Sequence, residues 1–209
     1  SQEDPYLRPL LPEYSIASIV DDTSNSPQAL AYQWSLQDPN LPSFSESRRL
    51  QRFALATLYF STQGSSWTNQ GDWLSYDINE CGWTKEQVNK NGTKTINACK
   101  KGLTAVALSP LRSSNIFRHN NDKNKHLRRR VQSSTDIHHL YLPNNNLVGS
   151  LPPELALLTS LQSINMTSNS LEGTIPKELW KALTTLEALS LHKNALRGSL
   201  PPTIGRLED

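Results

Sequence analysis

The sequence predicts an α/β fold, a stack of short parallel strands preceded by a helical segment. Three observations predict it. From Ile137 onward one pattern is written three times, at steps of 24 and 25 residues, and self-similarity at such a period means a stack in which each unit contacts only its neighbours. Glycine and proline recur at fixed places inside every copy, which rules out a set of amphipathic helices. Ahead of the copies, residues 43–64 carry apolar side chains at helical spacing between start and stop signals.

The copies read Ile137-x-x-Leu140-x-Leu142-x-x-Asn145-x-Leu147-x-Gly149-x-Leu151-Pro152, then Leu161-x-x-Ile164-x-Met166-x-x-Asn169-x-Leu171-x-Gly173-x-Ile175-Pro176, then Leu186-x-x-Leu189-x-Leu191-x-x-Asn194-x-Leu196-x-Gly198-x-Leu200-Pro201. Apolar residues two apart point the same way from a strand, into a core, while the residues between them face outward on the concave side. Asn145, Asn169 and Asn194 fall where the chain turns with its backbone buried. A short amide side chain satisfies such groups, so the three form a ladder. Gly149, Gly173 and Gly198 permit a tight bend without a Cβ clash. Pro152, Pro176 and Pro201 remove a donor, which suits the convex side.

This spelling resembles a leucine-rich repeat, and the Leu-x-Gly-x-Leu/Ile-Pro tail resembles the plant-type subclass found in receptor-like kinases and polygalacturonase-inhibiting proteins. The resemblance implies a right-handed α/β solenoid with a second short strand per coil, twisted into a superhelix. Repeats are expected at 137–160, 161–185 and 186–209. A degenerate copy at Leu103-x-x-Val106-x-Leu108 has Leu111 at the ladder position, and the next copy starts 34 residues on. The repeat region is therefore expected to span 103–209, with an irregular copy at 103–136 that carries a basic insertion at 109–134.

The helix expected at 43–64 starts on a capping box, Ser43-x-x-Glu46, and stops at Gly64. Leu50, Phe53, Ala54, Thr57 and Leu58 share one face, which must bury itself, and the open end of the first coil is the natural partner. Residues 6–19 and 27–36 are weaker helical stretches, and 39–42 is a connector. Residues 1–42 read as a helical extension and 43–102 as an N-terminal cap. Ser26-Pro27-Gln28, Trp34, Asp38-Pro39 and the string from Gln51 to Thr62 resemble a cap in leucine-rich-repeat proteins of diatoms and related algae. Those proteins often look like single-pass membrane proteins anchored ahead of the cap, so any membrane contact is expected only through segments outside this chain.

The two cysteines, Cys81 and Cys99, precede the first expected strand, and taken alone they are either free thiols or a disulfide. Their setting, Trp67…Trp73…Cys81-Gly-Trp83…Cys99, is similar to the Trp-rich Cys pair of plant-type caps. That resemblance implies a Cys81–Cys99 disulfide, with a longer gap than the family version. Such a bond stabilises a cap by about 3 kcal/mol in the chain-entropy model and implies an oxidising compartment. Asn91-Gly92-Thr93 and Asn165-Met166-Thr167 are then glycosylation sequons, with Asn91 and Asn165 as acceptors.

A net charge of +2 makes no global demand for nucleic acid or an anionic membrane. No apolar run approaches the length of a membrane span. The chain opens on Ser-Gln-Glu-Asp without a signal peptide and reads as the front part of a longer solenoid. Its third copy offers Leu186, Leu189, Leu191, Leu196, Leu200, Ile204 and Leu207 with no successor to cover them.

Motifs for chemistry are sparse. Arg112, Arg118, Lys123, Lys125, Arg128, Arg129 and Arg130, opposed only by Asp122, read as a solvated loop between two coils because aromatic interleaving is limited to Phe117; the alternatives are a nuclear-localisation signal, a nucleic-acid contact or a patch for acidic polysaccharide. His138 and His139 point to opposite faces of a strand and read as surface histidines, not metal ligands. No catalytic triad spacing, phosphate loop or paired carboxylate stands out, and neither a catalytic residue nor a cofactor is expected. The ligand face is expected at the outward strand positions: His139, Tyr141, Pro143, Asn144, Ser163, Asn165, Thr167, Ala188, Ser190 and His192. The expected function is non-catalytic recognition of a protein or polysaccharide ligand, by the N-terminal part of an extracellular receptor-like or adhesion protein. The alternative is a secreted inhibitor of a wall-degrading hydrolase.

Overall fold

The protein is seen in a computed structural model that describes residues 4–19, 25–83, 136–182 and 184–199. The expected strand at 103–108, the basic stretch at 112–130, Cys99, Asn91 and the residues after 199 lie outside the described residues.

Each of the three copies contributes two short strands, and each set pairs in parallel. β1 (His139–Tyr141), β3 (Ser163–Asn165) and β5 (Ala188–Ser190) form one sheet. Leu140, Ile164 and Leu189 are in register there. β2 (Val148–Ser150), β4 (Ser170–Thr174) and β6 (Ala195–Arg197) form the other, with Gly149 opposite Leu171 and Gly173 opposite Leu196. The return side of the first repeat is a 3-10 helix, Pro153–Leu157, and that of the second is α4 (Lys177–Ala182).

The alternation in the strands sends Leu140, Leu142, Ile164 and Met166 into the core, where Leu147, Leu155 and Leu171 join them from the turns and return sides. Each buried leucine contributes on the order of 1.5–3 kcal/mol. Burial fades along the stack. Ile164, Met166 and Leu171 are buried, whereas their counterparts Leu189, Leu191 and Leu196 are only partly so.

The asparagine ladder is explicit in the hydrogen bonds. Asn169 Oδ1 accepts from the backbone N–H groups of Asn145 (2.9 Å) and Leu147 (3.0 Å) in the repeat before it, and its Nδ2 donates to the carbonyls of Leu142 and Met166. Asn194 repeats this one step on, accepting from Leu171 N–H at 3.0 Å and donating to Met166 and Leu191. The first rung reaches backward. Asn145 Oδ1 accepts from Asn69 N–H at 2.6 Å, and Asn145 Nδ2 donates to the Asn69 carbonyl. Residues 67–70 thus present backbone to the first ladder position as a preceding coil would.

The N-terminal part contains α1 (Glu13–Ile19), α2 (Pro27–Leu36) and α3 (Glu46–Ser61). Ser26 caps α2 by accepting from Ala29 N–H, and Pro27 occupies its first turn, where the missing N–H costs nothing. α3 corrects the sequence reading at both ends. Its cap is Ser45, which accepts from Arg48 N–H, and not Ser43. Ser43 is held in a 3-10 turn, Leu41–Ser43, with its hydroxyl donated to the Asn40 carbonyl at 2.7 Å. Glu46 therefore starts the helix, where its charge favours the positive end of the helix dipole. At the other end the chain reverses at Gln63, in the left-handed region at φ 53°, and not at Gly64. Gly64 serves packing instead, because a Cβ there would collide with the Tyr59 ring.

A second difference is more consequential. One buried face was expected for α3, yet Gln51 through Leu58 are all buried. Ala54, Leu55 and Leu58 join the core of the repeats, while Phe53 and Ala56 join a smaller core with Leu7, Leu11, Ile19, Ala31 and Tyr32. The helix lies between two cores. Around it, Trp34, Trp67, Trp73, Trp83, Tyr59 and Tyr76 form a continuous run of ring contacts with centroids 4.8–6.4 Å apart.

Buried polar groups fasten the helices to the repeats. Gln51 Oε1 accepts from Ile137 N–H at 2.8 Å, and Val148 N–H donates to the Thr62 carbonyl at 3.2 Å. Ser61 Oγ donates to the Ser150 carbonyl at 2.7 Å. On the return side, Glu154 has no exposed surface, and its carboxylate accepts from Ser15 Oγ at 2.7 Å and Gln28 Nε2 at 3.2 Å. One carboxylate therefore ties both α1 and α2 to the first repeat. Burial raises its pKa above the usual 4.5, with a smaller push from Glu178; hydrogen bonds from Ser15, its own backbone N–H and Gln28 oppose the shift without reversing it. Nearby Tyr14 is pushed up to about 12, by burial first and then by Glu154 and Glu178.

The shift has a definite sign. The folded state holds the Glu154 proton more tightly than the unfolded chain, so this contribution to stability is full below about pH 4.5 and is lost as pH rises through the folded-state pKa. Glu154→Gln keeps the hydrogen-bonding shape and removes the charge. The stability difference between the variant and the natural chain is expected to shift in the variant's favour with rising pH across that window, as measured by urea unfolding at a series of pH values. A difference that is flat with pH would show that the carboxyl titrates as in the unfolded chain.

Candidate ligand-binding face

The β1–β3–β5 sheet stacks its outward side chains in rows. Register aligns His139, Ser163 and Ala188 in the first row and Tyr141, Asn165 and Ser190 in the second. A third row follows the strands: Pro143, Thr167 and His192, with Thr167 Oγ1 3.4 Å from His192 Nδ1. The backbone keeps that spacing by parallel pairing, with Leu142 N–H to the Asn165 carbonyl (2.8 Å) and Met166 N–H to the Ser190 carbonyl (2.9 Å). Adjacent strands in such pairing lie about 4.8 Å apart, so every row brings its side chains within reach of one ligand.

The first row is partly closed. His139 is only 3% exposed, and its Nδ1 is 2.8 Å from Ser163 Oγ, so it does not offer the open surface expected of it. His138 is buried as well, with Nδ1 donating to the Ser160 carbonyl at 2.8 Å. Neither is a surface histidine. Their local sequence, two polar residues in a strand, carried no sign of this. Among the described residues no cluster of histidine, cysteine and carboxylate side chains could hold a metal ion.

The second and third rows are open. Tyr141, Asn165, Ser190, Pro143 and Thr167 are partly buried, and Asn144 and His192 are exposed. Ser163 and Ala188, beside the closed histidine, are partly buried too. None of these positions carries a charge; the charges nearest in sequence, Glu187 and Lys193, bracket β5 and are exposed. The surface offers hydroxyls, amides, one imidazole and one phenol.

The turn beneath it has a feature that sequence reasoning missed. The residue before each ladder asparagine adopts the left-handed conformation: Asn144 at φ 51°, Ser168 at 57° and Lys193 at 57°. Only Asn144 is a residue type that signals this conformation. At the other two positions the following asparagine bridges back over the turn, Asn169 Nδ2 to the Met166 and Thr167 carbonyls and Asn194 Nδ2 to the Leu191 and His192 carbonyls.

The cysteine pair can be followed from one side only. Cys81 lies in a short 3-10 turn, Glu80–Gly82, whose N-cap Asn79 accepts from Cys81 N–H. No described cysteine is free.

Residues 136–158, 160–182 and 185–207 match the family model for the leucine-rich repeat. These three copies are leucine-rich repeats. Among solved structures, a partial similarity is found to the LRR ectodomain of the receptor kinase SOBIR1 from Arabidopsis thaliana, at 26% identity and a TM-score of 0.30. It covers 32% of this chain and 36% of that one, so the chain spans about a third of the length of the ectodomain it matches. No curated protein matches the chain. The outward rows described above are thus strand positions of leucine-rich repeats, and the ladder is their turn.

Proposed function

We propose that the chain is a non-catalytic recognition module belonging to the N-terminal part of an extracellular receptor-like or adhesion protein. The observation that carries this is the parallel sheet itself. Its open rows, Tyr141–Asn165–Ser190 and Pro143–Thr167–His192, form an uncharged, hydrogen-bonding surface held rigid by the asparagine ladder beneath it. A surface of hydroxyls and amides beside one aromatic ring suits an uncharged polysaccharide or a polar protein segment at the cell surface. Among the described residues it holds no cluster that could bind a metal ion. The plant-type resemblance of the repeat tails supports the receptor-like reading, and the N-terminal helices are read as its cap, closed by a Cys81–Cys99 disulfide.

The extracellular part is tested by comparing reducing and non-reducing peptide maps of the protein isolated from its natural source. A Cys81 peptide linked to a Cys99 peptide is expected. Free thiols at both positions would defeat it. The recognition part is tested on an immobilised panel of extracellular proteins and neutral polysaccharides. With a ligand found there, Tyr141→Ala and His192→Ala are each expected to weaken binding about tenfold, near 1.4 kcal/mol. Lys181→Ala, exposed on α4, leaves it unchanged. Equal effects on both sides of the repeats would refute the assignment of the face.

A further inference from the structure

The middle of this face holds an amide whose nitrogen the described residues leave unused. We propose that Asn165 is an N-glycan acceptor and that its glycan occupies the centre of the concave sheet, lying between Tyr141 and Ser190. The proposal rests on the extracellular reading above and adds a covalent control of the same surface.

Asn165-Met166-Thr167 is one of two sequons in the chain. Four asparagines near the turns show why this one is suited to carry a sugar. Asn145, Asn169 and Asn194 spend their Nδ2 hydrogens on carbonyls of the ladder, at 3.2, 2.8 and 2.9 Å respectively. A sugar on any of these would remove a rung. Asn165 behaves differently. Its Oδ1 accepts from Thr167 N–H at 3.1 Å, and among the described residues its Nδ2 makes no hydrogen bond. The side chain is therefore held by its oxygen, with the nitrogen to be modified left unpaired. It is partly exposed, while Met166 beside it is fully buried, so alternation in the strand turns the amide outward.

The surroundings leave room on one side and a platform on the other. Register puts Tyr141 and Ser190 on the strands either side of Asn165. The small Ser190 leaves space over β5. Tyr141 offers an apolar ring face against which the C–H groups of a first sugar can pack. No charged side chain lies in the row. The chemistry is transfer from a lipid-pyrophosphate-linked oligosaccharide of the secretory pathway. A bond forms between Asn165 Nδ2 and sugar C1, the bond from C1 to the pyrophosphate oxygen breaks, Nδ2 loses a proton, and the lipid pyrophosphate leaves. In the modified chain a glycan so placed covers the Tyr141–Asn165–Ser190 row and leaves Pro143, Asn144, Thr167 and His192 as the accessible docking edge, so the loss of binding expected of Tyr141→Ala belongs to the unmodified chain.

The test uses the 209-residue chain delivered into the secretory pathway of a eukaryotic cell by an attached leader, so that it meets the donor whatever its natural location. Peptide mapping after enzymatic deglycosylation is expected to find Asn165 converted to Asp. Asn165→Gln and Thr167→Ala are expected to abolish that modification, and Thr167→Ser to retain it; the two separate variants guard against one that fails to fold. Secreted chain with Asn165 unmodified overturns the site and leaves the extracellular reading to its own cysteine test. Placement is read by nitration with tetranitromethane. Tyr141 is expected to react several-fold more slowly in the glycosylated chain than in Thr167→Ala. Equal rates at Tyr141 would overturn the placement of the glycan beside it.

Discussion

Gly149→Ala is expected to destabilise the chain by roughly 3 kcal/mol or more, whereas Gly173→Ala, at the same place in the next repeat, costs only about 1–2 kcal/mol. Both glycines have positive φ, 121° and 79°, so both substitutions carry backbone strain. The difference lies in what a new methyl group meets. At Gly173 the nearest atom is Ser150 Cβ at 3.7 Å, an ordinary contact. At Gly149 it would overlap the Ser61 carbonyl oxygen, which is backbone at the end of α3. That oxygen cannot step aside without loosening the adjacent bonds, Val148 N–H to the Thr62 carbonyl and Ser61 Oγ to the Ser150 carbonyl. Equilibrium urea unfolding of both variants measures the comparison. Equal losses would mean that α3 does not approach the first repeat this closely.

Arg52→Met is expected to cost about 3–5 kcal/mol, because it leaves buried Asp38 without its counter-charge and buried Glu80 with only the partly exposed Arg48 at 3.3 Å. Arg52 is 2% exposed within α3. Its guanidinium pairs with Glu80, lies 2.9 Å from Asp38 Oδ2, and donates to the Ser75 carbonyl at 3.2 Å. The Asp38 contact is held by charge without an aligned hydrogen bond, since Asp38 Oδ2 has no hydrogen-bond partner; Asp38 Oδ1 accepts from Asn40 N–H instead. Trp34, Phe44 and Trp83 stack around the cation at 5.0–5.2 Å. One side chain thus joins α2's C-terminal turn, α3 and the turn that carries Cys81. Replacing Arg52, Asp38 and Glu80 together by apolar residues of similar volume is expected to recover most of the loss, because an apolar cluster incurs no desolvation of charge. Thermal and urea unfolding of the single and triple variants decide the point. A triple variant as unstable as Arg52→Met would show that the cost lies in lost shape and not in stranded charge.

Arg52 also shows where sequence reasoning stops. In the string Arg48-Arg49-Leu50-Gln51-Arg52-Phe53 nothing distinguishes it from the half-exposed Arg48 and Arg49. Its carboxylate partners are 14 and 28 positions away (52 − 38 and 80 − 52). Gln51, His138, His139 and Glu154 share this history. Each is a polar residue that is buried, with partners away from its own segment: Ile137 for Gln51, Ser15 for Glu154, Ser160 for His138, and Ser163 in the next repeat for His139. The helix start was misplaced by two residues for a more local reason. Two serines competed for the cap, and the 3-10 turn after Asn40 consumed the hydroxyl of the first.

What the sequence determined by itself is whatever repeats. The period, the inward leucines, the ladder positions Asn145, Asn169 and Asn194, and the bends at Gly149, Gly173 and Gly198 follow from short-range constraints that recur in each copy. A strand must alternate, a buried turn must have its amides paired, and a positive φ favours glycine. Those rules act within one repeat and its neighbour, so three copies state them three times. Only the tertiary structure decided what happens once in the molecule: α3 enclosed between two cores, the Arg52 ion cluster, the closed histidine row and the Glu154 tie to α1 and α2. Each depends on long-range pairing of side chains whose partners are set by packing, and burial by a distant element leaves no period in the sequence to read.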